Sequence, residues 1–109
     1  MPASGHPVLG PQPTLADIQA YIADTNAFRG HNTELLYCML MLCEEVGELA
    51  KAVRKNIGGK IDAASRDAHT DEEAADVLWL LVAVCNNLGI DLETAFRTKE
   101  EKNKQRVWQ

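Results

Sequence analysis

The sequence predicts an all-α fold of four helices, on three observations. No stretch alternates apolar and polar residues for long enough to suggest a strand. Two apolar runs, LLYCMLMLC (35–43) and VLWLLVAVC (77–85), sit inside segments of helical length. Helix-ending sequences (FRGHN at 28–32, Gly58-Gly59 and Gly89) fall between the periodic segments.

Taken in order, residues 1–13 hold four prolines and two glycines and read as a flexible lead-in, followed by one domain over 14–109. Thr14 opens the first helix: Leu15, Ile18, Tyr21 and Ile22 recur at helical spacing, and Thr14 with Asp17 forms a capping pair. The second helix starts near Asn32 or Thr33 and runs to about Ile57, where Gly58-Gly59 stops it. GGKIDAASRDAH (58–69) has no period and reads as a loop. The third helix opens at Thr70, with Thr70 and Glu73 as a capping box, and ends at Gly89. The fourth begins at Asp91 and continues to the C-terminus.

A chain of 109 residues makes one domain with a small core. Its net charge of −5 excludes a general binder of nucleic acid or of an anionic membrane, since both demand a cationic surface. Charge is uneven, however: residues 97–106 hold five Lys/Arg against two Glu. Neither apolar run approaches the ~20 residues that span a bilayer. MPASGHPVLGPQP lacks the basic start and apolar stretch of a signal peptide, so the expected setting is the cytoplasm. Cys38, Cys43 and Cys85 lie in the apolar runs without CxxC spacing, and are expected to be buried, reduced thiols.

The second and third helices are apolar almost all the way round. On the second, Leu36, Met39, Leu40, Cys43 and Ala50 form one stripe while Tyr37, Met41 and Leu42 point elsewhere. Such a helix must be covered on every side, which two short flanking helices cannot do. A homodimer or homotetramer is expected, with helices two and three of neighbouring chains building a shared bundle.

Against that background three acids are out of place: Glu44, Glu45 and Glu48 follow directly on the first apolar run. Glu45 and Glu48, at i and i+3, share a face with Met41 and Ala52. Glu73 and Asp76 repeat the spacing at the head of a stripe continued by Leu80, Val84 and Asn87. Like charges at this spacing repel, and desolvating them unpaired is costly. A divalent cation removes the conflict, because carboxylate oxygens converging from two antiparallel helices suit Mg²⁺ or Mn²⁺. Little His or Cys lies nearby, which disfavours zinc. The alternative is a solvated face, with Glu44, Glu45 and Glu48 paired to Lys51 and Lys55, Glu73 capping the third helix, and Asp76 paired to Arg66 or Lys60.

The spacing E-E-x-x-E (Glu44, Glu45, Glu48), then 24 intervening residues, then E-x-x-D (Glu73, Asp76) resembles the signature of the all-α nucleoside triphosphate pyrophosphohydrolases. EEVGELAKAVRK and DVLWLLVAVCNNLGIDLETAF look like the MazG-like branch, and the similarity covers about residues 14–107. The resemblance implies a four-helix MazG-like fold and Mg²⁺-dependent cleavage of a nucleoside triphosphate between its α- and β-phosphates, in housecleaning of the nucleotide pool. It also implies Glu45, Glu48, Glu73 and Asp76 as metal ligands. Glu44 departs from their face by roughly 100° and is the candidate for a second metal or for orienting the attacking water. Glu44, Glu45 and Glu48 are thus the catalytic candidates.

A triphosphate brings roughly four negative charges, so cations are needed beside the acids. Lys99, Lys102, Asn103 and Arg106 fall on one helical face, and Lys102-Asn103-x-x-Arg106 is similar to a phosphate-contacting element of MazG-like proteins. The alternative is a solvated basic helix end favoured by the dipole. Phe28, His31 and Trp79 are candidates to meet a base, although Trp79 also reads as core and His31 as a mere neighbour of the helix start. Asn87 reads as a satisfied amide or a substrate contact, and His6 and His69 as loop residues. Two rival functions remain: a phosphoribosyl-ATP pyrophosphohydrolase, and a non-catalytic helical dimerisation module.

Overall fold

The computed structural model describes residues 5–57 and 69–106. It contains α1 (Leu15–Arg29), α2 (Leu35–Asn56), α3 (Thr70–Asn87) and α4 (Leu92–Lys104), with no strand among the described residues. The all-α expectation therefore holds. Ahead of α1, His6 sets its ring edge-on against Phe28, with centroids 5.1 Å apart.

Local chemistry explains most helix ends. Thr14 caps α1 through the full capping box with Asp17, as the sequence suggests. Gly30 closes α1 in the left-handed region, φ 69°, sending its N–H back to the carbonyls of Ala27 and Asn26. Helix α2 starts slightly later than expected, because the carboxylate of Glu34 caps it by accepting from the amides of Leu36 and Tyr37. Its end at Asn56 precedes Gly58-Gly59, which lies outside the described residues along with the expected loop up to residue 68.

Two expectations fail. Thr70 and Glu73 form no capping box: Thr70 is the first helical residue of α3, and His69 is the N-cap without any side-chain capping bond. The Thr70 hydroxyl accepts instead from the Asn56 amide, so a contact with α2 replaces the local cap. Helix α4, capped by Asp91, stops at Lys104 rather than at the chain end.

Helices α2 and α3 run antiparallel. Asn87 donates to the Thr33 carbonyl near one end of the pair, and Asn56 reaches Thr70 at the other. Cys38, Ala83 and Val84 form the seam between them, with Leu35 and Leu42 packed alongside. Helix α1 covers another side of α3, burying Ile22, Thr25 and Asn26. Helix α4 leaves α3 at 94° and rests on α1. Gln19 fixes that angle. Its amide nitrogen donates to Asn86 Oδ1 (3.0 Å) and to the Ile90 carbonyl (2.8 Å), while its oxygen accepts from the Leu92 amide (2.9 Å).

The opposite face of α2 is left uncovered among the described residues. Leu36 and Leu40 are 64% and 63% exposed, and Met39, Val46 and Val53 continue the stripe. Cys43 lies on it too, so the expectation of three buried thiols holds for Cys38 and Cys85 but not for Cys43; all three are free. The radius of gyration, 17.1 Å, exceeds the ~13 Å of a compact chain of this length, which agrees with an open bundle. No single described helix is long and apolar enough to cross a membrane.

Candidate functional site

The acids meet where α2 faces α3. Ligand oxygens of Glu45, Glu73 and Asp76 all lie within 4.8 Å of one another. Glu45 and Glu73 are half-buried and Asp76 is exposed. Two ion pairs among the described residues, Arg97–Glu93 and Lys104–Glu101, both lie within α4 and do not involve these acids. Of the solvated-face alternative, Glu44 and Glu48 are exposed on α2, but no ion pair of Lys51 or Lys55 with Glu44, Glu45 or Glu48 is seen among the described residues; the suggested partners of Asp76, Lys60 and Arg66, lie outside the described residues.

The cost of this crowding falls on Glu45. Desolvation raises its pKa above the usual 4.5, the charges of Asp76 and Glu73 raise it further, and a hydrogen bond with Glu73 and the charge of Glu44 add to the effect. Three hard oxygen donors whose mutual repulsion is uncompensated are what a divalent cation fits. Glu48 stands one turn further along α2. It is exposed, lies outside the group of three, and shares an adjoining recess with Glu73. Glu44 is exposed beside the cluster.

A cavity of about 310 Å³ opens on the other side, with Glu45 and Asp76 at its edge and Asn26, His31, Tyr37, Met41 and Trp79 in its walls. Asn26, only 5% exposed, organises it. Its side-chain oxygen accepts from Trp79 Nε1 at 3.1 Å and meets His31 Nδ1 at 2.9 Å. An indole N–H only donates, so the Asn26 oxygen is the atom facing both rings. His31 must then carry a proton on Nδ1, which leaves Nε2 as its remaining polar atom. Trp79 is held further by the Arg29 guanidinium, 5.5 Å from its centroid, and by Tyr21 edge-on at 6.2 Å. It is both core and cavity wall.

The other candidates scatter. Phe28 does not line the cavity. Asn87 is a satisfied amide, donating to the Thr33 and Ala83 carbonyls at 2.5 and 3.3 Å. Lys99 and Lys102 are exposed on α4, Asn103 is half-buried there, and Arg106 is exposed just past its end; none lines the cavity that holds the acids. Asn26, Tyr37 and Met41 were not singled out from the sequence. For Asn26 a signal existed: the apolar phase of Leu15, Ile18 and Ile22 continues into Thr25 and Asn26, polar residues on a buried face.

Carboxylates converging from two antiparallel helices, beside a cavity walled by aromatic and amide side chains in an all-α chain, are an arrangement in keeping with a metal-dependent hydrolase. Residues 33–108 match the MazG nucleotide pyrophosphohydrolase domain, and the chain belongs to that family. It is similar to the uncharacterized protein YpjD of Bacillus subtilis (strain 168), with 39% identity over 84 residues, 75% of this chain and 76% of that protein. Among solved structures it resembles iMazG from Vibrio DAT 722. The C-terminally tagged form gives a TM-score of 0.66 at 29% identity, covering 84% of this chain and 99% of that one. The N-terminally tagged form gives 0.67 at 28%, covering 89% and 100%. The protein is thus an enzyme of the nucleotide pyrophosphohydrolase class, which sets the non-catalytic module aside.

Proposed function

We propose that this enzyme hydrolyses a nucleoside triphosphate between its α- and β-phosphates, giving a nucleoside monophosphate and pyrophosphate, with Mg²⁺ (or Mn²⁺) held by Glu45, Glu73 and Asp76. Glu48 supplies the fourth carboxylate from the adjoining recess. The observation that carries this reading is the continuity of the acid cluster with the cavity around Asn26, His31 and Trp79, since Glu45 and Asp76 belong to both. A nucleoside seated against Trp79 and His31 brings its first phosphate to the carboxylates.

A bound divalent cation supplies charge neutralisation and polarises the phosphoryl oxygen. The chain's own groups do the rest. Glu44, whose charge reaches Glu45, is assigned to orient the attacking water. The water oxygen bonds to the α-phosphorus, and the bond from that phosphorus to the bridging oxygen breaks. Pyrophosphate leaves with the electron pair, and the water's proton passes through a carboxylate to solvent. The apolar stripe of α2 from Leu36 to Val53 supports a homodimer or homotetramer, and cytoplasmic nucleotide housecleaning is the role that fits.

The test is incubation of the protein and Mg²⁺ with canonical and modified nucleoside triphosphates, followed by identification of the phosphate products. Pyrophosphate supports the reading, and orthophosphate alone refutes it. Turnover of phosphoribosyl-ATP and of nothing else transfers the assignment to that related reaction.

A further inference from the structure

The chain ahead of α1 turns back along that helix. Thr14 caps the N-terminus of α1, residues 7–10 share a recess with Asp17, Ala20, Tyr21 and Asp24, and His6 meets Phe28 in the last turn. The backbone comes equally close there, since a Cβ on Gly5 would stand 3.6 Å from the Phe28 ring. The recess between holds about 390 Å³, so the segment is fastened at its two ends rather than packed along its length.

The segment has little slack. Thr14 and Phe28 lie about 21 Å apart at the helical rise, and the chain from His6 to Thr14 reaches about 26–29 Å when fully extended. Pro7, Pro11 and Pro13 stiffen it. Gln12, between two of these prolines, takes a φ of 51°, a left-handed conformation that persists where its surroundings hold it. At the far end His6 Nδ1 lies 2.7 Å from the Pro7 carbonyl. A carbonyl only accepts, so Nδ1 donates, and the ring stands at 62° to that of Phe28.

The turn of α1 held in this way is the one that assembles the wall of the cavity. Asn26 bonds Trp79 and meets His31, and Arg29, next to Phe28, sets its guanidinium 5.5 Å from the Trp79 centroid. Tyr21 lines the recess beside residues 7–10 and also stands edge-on to Trp79. Two routes thus lead from the segment to one indole. The final turn of a helix lacks onward hydrogen bonds and opens most readily. Phe28 is 47% exposed, so packing within the helices does not fix it, and His6 is its aromatic neighbour.

We infer that residues 5–13 form a strap that positions the nucleoside wall, with His6 as a positioning residue acting through Phe28 and Arg29 on Trp79. This rests on the proposed seating of a nucleoside against Trp79. No residue of the strap lines the cavity or belongs to the acid cluster. Its effect therefore falls on nucleoside binding and not on the chemical step.

The experiment compares the full-length protein with His6→Ala and with His6→Phe, which keeps the ring contact. Trp79 emission is recorded in a Trp108→Phe background, where it is the only indole. Steady-state constants for the triphosphate are measured, and binding of a nucleoside monophosphate and of inorganic pyrophosphate is followed by calorimetry with Mg²⁺ present. His6→Ala is expected to shift Trp79 emission to longer wavelength. It should weaken monophosphate binding and raise the triphosphate KM by about three- to tenfold, the worth of an aromatic pair. Both kcat and pyrophosphate binding should stay within about twofold. His6→Phe should recover most of the loss, which separates positioning from misfolding. Unchanged monophosphate affinity and emission in His6→Ala, or a fall in kcat with KM unchanged, overturns the inference. A wild type that turns over no triphosphate, or binds no monophosphate, refutes the proposed function instead. The response of Trp79 emission to His6→Ala then still decides whether the strap holds the indole.

Discussion

The indole N–H of Trp79 on α3 donates to the side-chain oxygen of Asn26 on α1 at 3.1 Å, and the same oxygen meets His31 Nδ1 at 2.9 Å. One buried amide thus sets the position of two cavity walls and the tautomer of one of them. Asn26→Leu removes the acceptor for both rings while keeping the volume similar. It should cost about 1–3 kcal/mol of stability in urea unfolding, the penalty of stranded part-buried donors. In the proposed function the nucleoside sits against His31 and Trp79, away from the reacting phosphate, so the triphosphate KM should rise more than kcat falls. A variant with an unchanged KM would show that the cavity does not hold substrate.

The acid cluster makes a prediction about pH. Desolvation, Asp76 and Glu73 raise the pKa of Glu45 above its usual 4.5, so the folded protein binds that proton more tightly than the unfolded chain does. The ionised group therefore destabilises the metal-free fold at neutral pH. That penalty fades as pH falls through the raised folded pKa and is gone below the unfolded value. Metal-free protein in chelator should gain stability on mild acidification from neutral pH, and Glu45→Gln should be more stable than wild type at pH 7 with a flatter profile. Denaturant unfolding across that range checks both. A wild-type profile from this group that rises with pH would mean the carboxyl is stabilised rather than crowded.

Leu36 and Leu40 stand nearly two-thirds exposed on the uncovered face of α2. Burying such a side chain contributes about 1.5–3 kcal/mol, so a partner covering the stripe gains from each. Leu40→Asp should dissociate the proposed homo-oligomer and lower its melting temperature, as read by sedimentation velocity and thermal unfolding. A wild type that sediments as a monomer would remove the argument.

Much of this was legible in the residues themselves. The Thr14–Asp17 capping box needs only local chemistry and formed as expected. The i, i+3 acids were legible because carboxylates on near-uniformly apolar helices pose a desolvation problem that the sequence alone states. What escaped depends on how helices cross. Thr70 and Glu73 have the letters of a capping box, but Asn56 engages the hydroxyl and Glu73 joins the acids on α2, so tertiary contacts override the local motif. Glu45 and Glu48 share one face by spacing, yet only the contact geometry of α2 with α3 draws Glu45 into the cluster and leaves Glu48 one turn away. The bearing of α4 is set by Gln19, a single α1 amide bonded to residues 86, 90 and 92. Nothing in the periodicity of α4 announces that contact.

The central claim is that Glu45, Glu73 and Asp76 crowd together because a divalent cation belongs between them. Calorimetric titration of Mg²⁺, and separately Mn²⁺, into metal-free wild type, Glu45→Gln and Asp76→Asn tests it most directly. Saturable binding to wild type, and at least a tenfold weaker affinity in each folded variant, about 1.4 kcal/mol or more, is the predicted result. No binding to wild type, or equal binding to all three proteins, would contradict it.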